Sequence, residues 1–579
     1  MVGVVSGNGL GLFNTSLDLL GSAQGNPTSL GQAKGSAYVN AATGNLSVQF
    51  LDETLAGSGA DLFALRTYNS LGAIADGDAD AWRWSGEKKL VLSGTRNAAG
   101  STVTRTLGDG SSTVFAWDAT NAHYLSTDGS GAHDIITWNS STSEWEVKED
   151  GSTTTEFYDG TTGWIKRSRD NTATNVGFDY VFTGNRLTSI TDLATRQRFD
   201  FVYGSDGKLA ELKTLSVTNS ADVGTQLKQV SYEYYTSGAQ IGMLKSVTTD
   251  LTPTNTADNQ IYLTSYEYDT NKRLTKIDQS VNGDGTSASF TYDGSGRILT
   301  VVDQTGTTTF SYNTTSRITT ATNQLGNSWA YSYDTDANKN RLLKVTSTAV
   351  NGIAQMVTYS YDDATGNLMS VKDGRGAAGN TITYAYDGNG NRIKEVDSVG
   401  NTISRTFGAA NRLLTETRYS VASATAPSGE ETIRYVYDSF NRLRFIVSAE
   451  GRVSENRYYN DTLGQLKSTR QYTDGIYNVS GLAATVALTE SQLTTWLTTL
   501  TGSQKEKTQV VVYQYDYRGN LSQKTSYATA NTVADGVLDN AADVTQFVYS
   551  EYGQLLKTVA VRGTGRTTKT TLSTYAYDG

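Results

Sequence analysis

At 579 residues, with 3 prolines, 57 glycines and 35 tyrosines, the chain has an all-β composition of many strands joined by flexible turns. A formal charge of −10 and a pI near 5.0 repel phosphate backbones and anionic lipid, which argues against nucleic acid or a membrane surface as partner. The absence of cysteine excludes disulfides, thiolate nucleophiles and thiolate metal sites, and no run of about 18 apolar residues predicts membrane insertion as a helix.

Residues 1–35 are rich in Gly, Ser, Asn and Leu without a stable period and predict a poorly ordered lead-in. Residues 1–20 also lack the basic and apolar regions of a signal peptide, so export would use a signal outside this chain or a dedicated secretion machine. An N-terminal β region is expected over 36–157. Alternating runs at 46–50 and 62–68 flank it at the start, and the Thr43-Gly44-Asn45 turn precedes the first of them. Trp82, Trp84, Trp117, Trp138, Trp145 and Trp164 predict either a β domain with its own aromatic core or a cap on the strands C-terminal to it. Within this region Asp76, Asp78, Asp80 and Glu87 occupy positions 1, 3, 5 and 12 of a calcium-loop pattern. Ala81 stands where that loop requires glycine, so a solvated acidic loop is the expectation. The two histidines, His123 and His133, lie in no nucleophile-elbow sequence and give no catalytic constellation.

From residue 158 to 579 one unit recurs: an aromatic, any residue, a tyrosine, an acid, a Gly/Asn turn, then Arg or Leu opening a Thr/Val-rich run. Phe290, Tyr292, Asp293 and Arg297 are one copy; Tyr331, Tyr333, Asp334 and Arg341 another. The tyrosine–aspartate pairs are Tyr268-Asp269, Tyr292-Asp293, Tyr333-Asp334, Tyr361-Asp362, Tyr386-Asp387, Tyr437-Asp438 and Tyr515-Asp516. Positions 268, 292, 312, 333, 361, 386, 407, 437 and 459 mark gaps of 20 to 30 residues, the spread of hairpins with variable loops. Alternate strand residues share a face, so each unit presents two rings on one side and stacked units build aromatic ladders. The acid sits at the turn, where an adjacent arginine can pair with it. A single such unit cannot bury its own face, and stability requires many. The array is interrupted at 488–500, where Leu493, Trp496, Leu497 and Leu500 follow a helical spacing behind a Thr489/Gln492 capping box; a short inserted helix is predicted there. Gly563-Thr564-Gly565-Arg566 lacks the Gly-Lys pair of a phosphate loop and reads as a repeat loop.

Aromatic-x-Tyr-Asp-x-x-Gly/Asn-Arg-Leu at this spacing resembles the tyrosine-aspartate (YD) repeat of the rearrangement-hotspot (Rhs) family. That family includes bacterial polymorphic toxins, shell components of insecticidal toxin complexes, wall-associated bacterial proteins and animal teneurins. Asn40, the 43–46 turn and Leu65-Arg66-Thr67-Tyr68-Asn69-Ser70 are similar to the segment that opens the repeats in bacterial members. The resemblance implies hairpins winding into a curved, spiralling sheet that is part of a hollow shell, secreted or at the bacterial cell surface. The implied partner is a C-terminal toxin domain of a longer protein, with secretion machinery as a further partner. No Asp-Pro autocleavage motif follows Pro427, so the array reads as cut within a repeat, an incomplete sheet with an open edge at 574–577. The expected function is therefore a scaffold without an active site or cofactor. The competing reading is a repeat protein that grips carbohydrate or a cell surface with exposed ladders; burial of Tyr292, Tyr312, Tyr333, Tyr361 and Tyr386 separates the two.

Overall fold

The computed structural model describes residues 2–17, 19–20, 28–29, 35–55, 62–73, 80–126, 134–149, 152, 154–170, 176–194, 196–216, 224–250, 261–279, 287–336, 339–349, 353–374, 380–408, 411–459, 464–516, 520–538, 542–549, 555–562 and 569–575. Its architecture is all-β, as the pattern predicts: antiparallel hairpins in one long curved sheet, with a short inserted helix.

A first sheet comprises β1 (Gly3–Val5), β2 (Thr28–Ser29), β3 (Ser36–Asn40), β4 (Leu46–Leu55), β5 (Leu62–Asn69) and β6 (Trp82–Trp84), in the order β1-β3-β4-β5-β6, with β2 against β3. Where composition suggests a disordered lead-in, β1 instead pairs in parallel with β3, and Val4 and Val5 are fully buried. Apolar valines on a strand with a partner bury enough surface to offset ordering.

The second sheet begins with β7 (Lys89–Ser93), β8 (Thr102–Thr106), β9 (Ser112–Asp118), β10 (His123–Leu125), β11 (Ile135–Asn139), β12 (Glu144–Lys148), β13 (Thr154–Asp159) and β14 (Ile165–Asp170). It continues in sequence order, each strand antiparallel to the next, to the strand Lys569–Thr574. The expected open edge stands at the C-terminal end, where among the described residues Lys569–Thr574 pairs with Leu555–Arg562 alone; the succession closes on itself at its other end. At its N-terminal end the Leu90 N–H donates to the Gly163 carbonyl (2.8 Å) and the Ile165 N–H to the Lys88 carbonyl (3.1 Å), bringing β7 against the start of β14. The eight strands thus roll around a small core to which each contributes: Leu90, Val103, Phe115, Tyr124, Ile136, Val147, Tyr158 and Ile165. At the C-terminal end, Thr574 pairs with Lys557; residues 576–579 lie outside the described residues.

The six tryptophans do not share one core. Trp117, Trp138 and Trp145 pack in or against the roll; Trp82 and Trp84 belong to the first sheet and face the repeats; Trp164 stacks on Phe182 at 4.7 Å. The first sheet lies on the tyrosine-bearing face of the repeats, in a core that joins Val39, Phe50, Tyr68 and Trp82 to Phe199, Tyr266, Phe290, Phe310, Tyr331 and Leu342.

The predicted insertion is α1 (Glu490–Thr499), with both halves of the Thr489/Gln492 capping box formed. A second box, Thr501/Gln504, opens the short α2 (Gly502–Glu506). Leu488, Leu493 and Leu500 pack on Val436, Phe445, Val447, Val453 and Tyr472, and the buried Arg434 donates to the carbonyls of Leu482, Ala483 and Val486.

Candidate functional site

The repeating joint between hairpins is the feature built with most consistency. In the unit of Tyr292, the Asp293 carboxylate accepts the turn N–H groups of Ser295 (2.8 Å) and Arg297 (3.0 Å) through Oδ1. Its Oδ2 pairs with the Arg297 guanidinium at 2.7 Å. Burial works to raise the Asp293 carboxyl, but the Arg297 guanidinium and the turn N–H groups outweigh it and hold the group below the usual carboxylate range. Asp269–Arg273, Asp334–Arg341 and Asp438–Arg442 repeat the clamp at 2.6–2.8 Å. Where asparagine stands in place of arginine, Asn391 and Asn520 donate to Asp387 (2.9 Å) and Asp516 (3.0 Å). Asp362 binds Thr365 instead, and the Thr365 N–H and hydroxyl lower its pKa.

The clamped arginine then reaches forward to the next unit. Arg273 lies 4.7 Å over the Tyr292 ring, Arg297 4.5 Å over Tyr312, Arg341 5.1 Å over Tyr361 and Arg442 4.4 Å over Tyr458.

The tyrosine reaches back. In most units the register shifts just before the second aromatic, pairing Tyr268 with Leu274, Tyr361 with Leu368 and Tyr437 with Leu443, and this β-bulge disrupts the ladder locally. The hydroxyl of the following tyrosine donates to the carbonyl of that bulge residue: Tyr292 to Leu274 (2.7 Å), Tyr312 to Ile298 (2.7 Å), Tyr361 to Leu342 (2.9 Å) and Tyr386 to Leu368 (2.8 Å). Tyr437, Tyr458, Tyr515 and Tyr549 do the same to Leu413, Leu443, Leu466 and Leu521. Tyrosine rather than phenylalanine is needed here because its ring packs while its hydroxyl satisfies a main-chain acceptor.

The first sheet is held on by buried polar contacts. Arg66 pairs with Asp52 at 2.9 Å, donates to the Tyr266 hydroxyl (3.0 Å) and lies 4.3 Å over the Trp82 ring; Tyr232 also donates to Asp52 (2.9 Å). The Trp82 indole donates to the Tyr268 hydroxyl (3.0 Å). Burial pushes the Tyr68 and Tyr266 phenols up to about 12, so they remain neutral donors and acceptors.

Of the calcium-loop residues, Asp80 and Glu87 are buried and accept the backbone N–H groups of Trp82 (2.8 Å) and Trp84 (3.0 Å); Asp76 and Asp78 lie outside the described residues. Asp80 and Glu87 are therefore not a solvated loop but local backbone caps, and Ala81 holds a φ of 68°. Among the described residues no group of three His, Asp or Glu could hold a metal. His123 sits half-buried on β10 opposite Asp118; His133 and 563–566 lie outside the described residues.

A family model described as RHS Repeat matches residues 363–402, a stretch that contains the Asp387 turn and the strands Leu368–Gly374, Thr381–Tyr386 and Arg392–Val396. The chain carries the RHS repeat. Among solved structures it is similar to the TcdB2-TccC3 complex, at 11% identity and a TM-score of 0.38 over 92% of this chain and 32% of that one. It is also similar to a Photorhabdus luminescens Tc holotoxin pore, at 12% identity and a TM-score of 0.38 over 91% of this chain and 26% of that one. The chain thus spans about a third or less of the length of these two chains. No curated protein matches it.

Proposed function

We propose that the RHS repeats form a wall: a structural scaffold that is part of a shell enclosing a C-terminal toxin of a longer protein and helping to deliver it from a bacterium to the outside. The observation that carries the reading is the joint. The Asp–Arg clamp shapes each turn, and the two contacts that recur between units, from Arg to the next ring and from Tyr hydroxyl to the preceding bulge, hold one hairpin to its neighbour. Packed ladders support a scaffold over an exposed gripping surface: Tyr333 is 5% exposed, and Tyr292, Tyr312, Tyr361 and Tyr386 are half-buried with their hydroxyls engaged where they reach the preceding carbonyl.

The test is limited proteolysis of the whole gene product. A segment beyond residue 579 should resist protease while the repeats are folded and become sensitive in denaturant at the concentration where the repeats unfold. A gene product that ends at Gly579, or a following segment cut as fast as it is when expressed alone, would refute the enclosure.

A further inference from the structure

A cavity of about 380 Å³ lies where three parts of the fold meet, within the range of small-ligand sites, about 300–1,000 Å³. Leu62 and Phe63 of β5 border it on one side, and Lys88, Glu149, Glu156 and Asp170 of the roll on another. Phe440, Asn441 and Arg442, from the turn of a much later repeat, border the third. Register explains the polar wall: Glu156 stands opposite Ser168, Ser168 opposite Phe178, and Thr154 opposite Asp170. Residues opposite one another share a face of the sheet, so this face sets two carboxylates beside an aromatic ring.

The charges around the cavity do not balance. Lys88 pairs with Glu156, and Arg105 behind them pairs with Asp134 (3.2 Å), Glu149 and Glu156 (2.7 Å). Arg442 is held by Asp438 at 2.8 Å. Three cations, Lys88, Arg105 and Arg442, thus stand against five carboxylates, Asp134, Glu149, Glu156, Asp170 and Asp438. Burial works to raise the Glu156 carboxyl, but Lys88 and Arg105 outweigh it and hold the group below the usual carboxylate range, so it is ionised. Asn441 adds an acceptor. It holds a φ of 62° and its N–H donates to the Asp438 carbonyl (3.0 Å), while its Oδ1 is buried without a hydrogen-bond partner among the described residues. A surplus of negative charge and an unused acceptor both call for a cationic donor. Phe178 and Tyr180 are half-buried and Phe440 is 52% exposed, rings on which a cation or an alkyl stem can lie. Among the described residues no three of these carboxylates converge as metal ligands would, which favours an organic cation. We propose that this cavity binds the primary ammonium of an alkyl amine, held by the carboxylate surplus and the Asn441 Oδ1, with its stem on the aromatic rings. A free diamine and a lysine side chain both end in this group. The proposal is independent of the shell reading: it concerns one cavity and not what the sheet borders.

The test is calorimetric titration of the full chain with cadaverine and with Nα-acetyl-lysine amide, each to about 10 mM to reach weak affinities. Salt at about 150 mM screens the net charge of −10, and 1-pentanol and magnesium chloride serve as the neutral and inorganic controls. Saturable one-site binding of cadaverine, the lysine amide or both is expected, and which of them binds identifies the source. Asn441→Gly keeps the positive φ and removes the acceptor; it should weaken binding several-fold. Asn441→Asp puts a charge at the same place and should tighten binding several-fold, a gain that damage to the fold could not produce. Phe440→Ala, at an exposed ring, should fold as the parent does and weaken binding. No saturable binding of either amine, pentanol or magnesium bound as tightly as the amines, or an affinity unchanged in both Asn441 variants would overturn the proposal.

Discussion

The inter-hairpin joint can be taken apart at Tyr292. Tyr292→Phe removes only the hydroxyl that donates to the Leu274 carbonyl at 2.7 Å. A neutral hydrogen bond contributes about 0.5–1.5 kcal/mol net, and an acceptor left buried without its partner costs about 1–3 kcal/mol. Leu274 is fully buried, so the loss should approach 2 kcal/mol rather than a few tenths. Arg273→Ala removes a different contact, the guanidinium 4.7 Å over the same ring, and also the Asp269 pair. The arginine side chain is 20% exposed, so the stack is set near the lower end, about 0.5–1 kcal/mol, and the ion pair at no more than about 1 kcal/mol. Because both changes meet on one ring, a double-mutant cycle using Arg273→Ala and Tyr292→Ala should return a coupling of about 0.5–1 kcal/mol. Arrays unfold by neighbourhoods rather than all at once, so hydrogen exchange across 261–300 in urea is the fitting assay. A Tyr292→Phe loss below about 0.3 kcal/mol, or no coupling within the usual 0.3–0.5 kcal/mol scatter of additivity, would refute the joint as a stabilising device.

The Tyr331 hydroxyl is buried without a hydrogen-bond partner, so Tyr331→Phe should leave the unfolding free energy unchanged or raise it by up to about 1 kcal/mol, read as an unchanged or higher thermal midpoint; a clear loss would show that the hydroxyl is satisfied. Asp52→Asn leaves the Arg66 charge buried without its counter-charge, and should cost about 3–5 kcal/mol, read as faster proteolytic release of the first sheet near residues 85–88. The hydrogen bonds of Arg167, aided by Lys166 and against burial, hold Glu144 at about 2, below its ordinary value of 4.5. A lowered folded-state pKa means this stabilisation is present above about pH 4.5 and is lost as pH falls toward 2. Acid unfolding of Arg167→Gln should therefore shift to higher pH than the parent, and an unchanged acid midpoint would count against the pair.

Much of the architecture is legible because the pattern is local and repeated. The period-2 aromatics, the Asp at the turn and the capping box at Thr489 each depend on residues within a few positions, and each is found as expected. What is not legible depends on register. The forward reach of Arg273 to Tyr292 and the backward reach of the Tyr292 hydroxyl to Leu274 cross from one unit to the next, and only the bulge sets which carbonyl is offered. A hint is present in the sequence: tyrosine, not phenylalanine, recurs at the second aromatic position, and an apolar packing role alone would not distinguish them. The docking of β1 and the Arg66–Asp52 pair are hidden because they join segments far apart in the chain, such as Arg66 and Tyr266. The closure of β7 on Gly163 and Ile165 is hidden for the same reason.

The two covers of the repeats divide the sheet by face. On the tyrosine-bearing face, the first sheet packs over the array as far as Tyr359, and the ladder there is apolar. On the opposite face, the insertion at α1 packs over Val436, Phe445, Val453 and Tyr472. Between them, the tyrosine face changes character: Glu395, Arg405 and Glu416 share the face of Tyr384 and Ile433, and Arg405 bridges both glutamates. Ion pairs that keep contact with water cost little to hold, whereas the same charges under a packed cover would lose their hydration. The change from phenylalanine and tyrosine rows to an Arg–Glu row therefore marks where the first sheet ends and a face suited to water begins. A repeat sheet with one face partly covered by its own N-terminal sheet and partly polar is what the proposed scaffold would need in order to border a space without collapsing onto it.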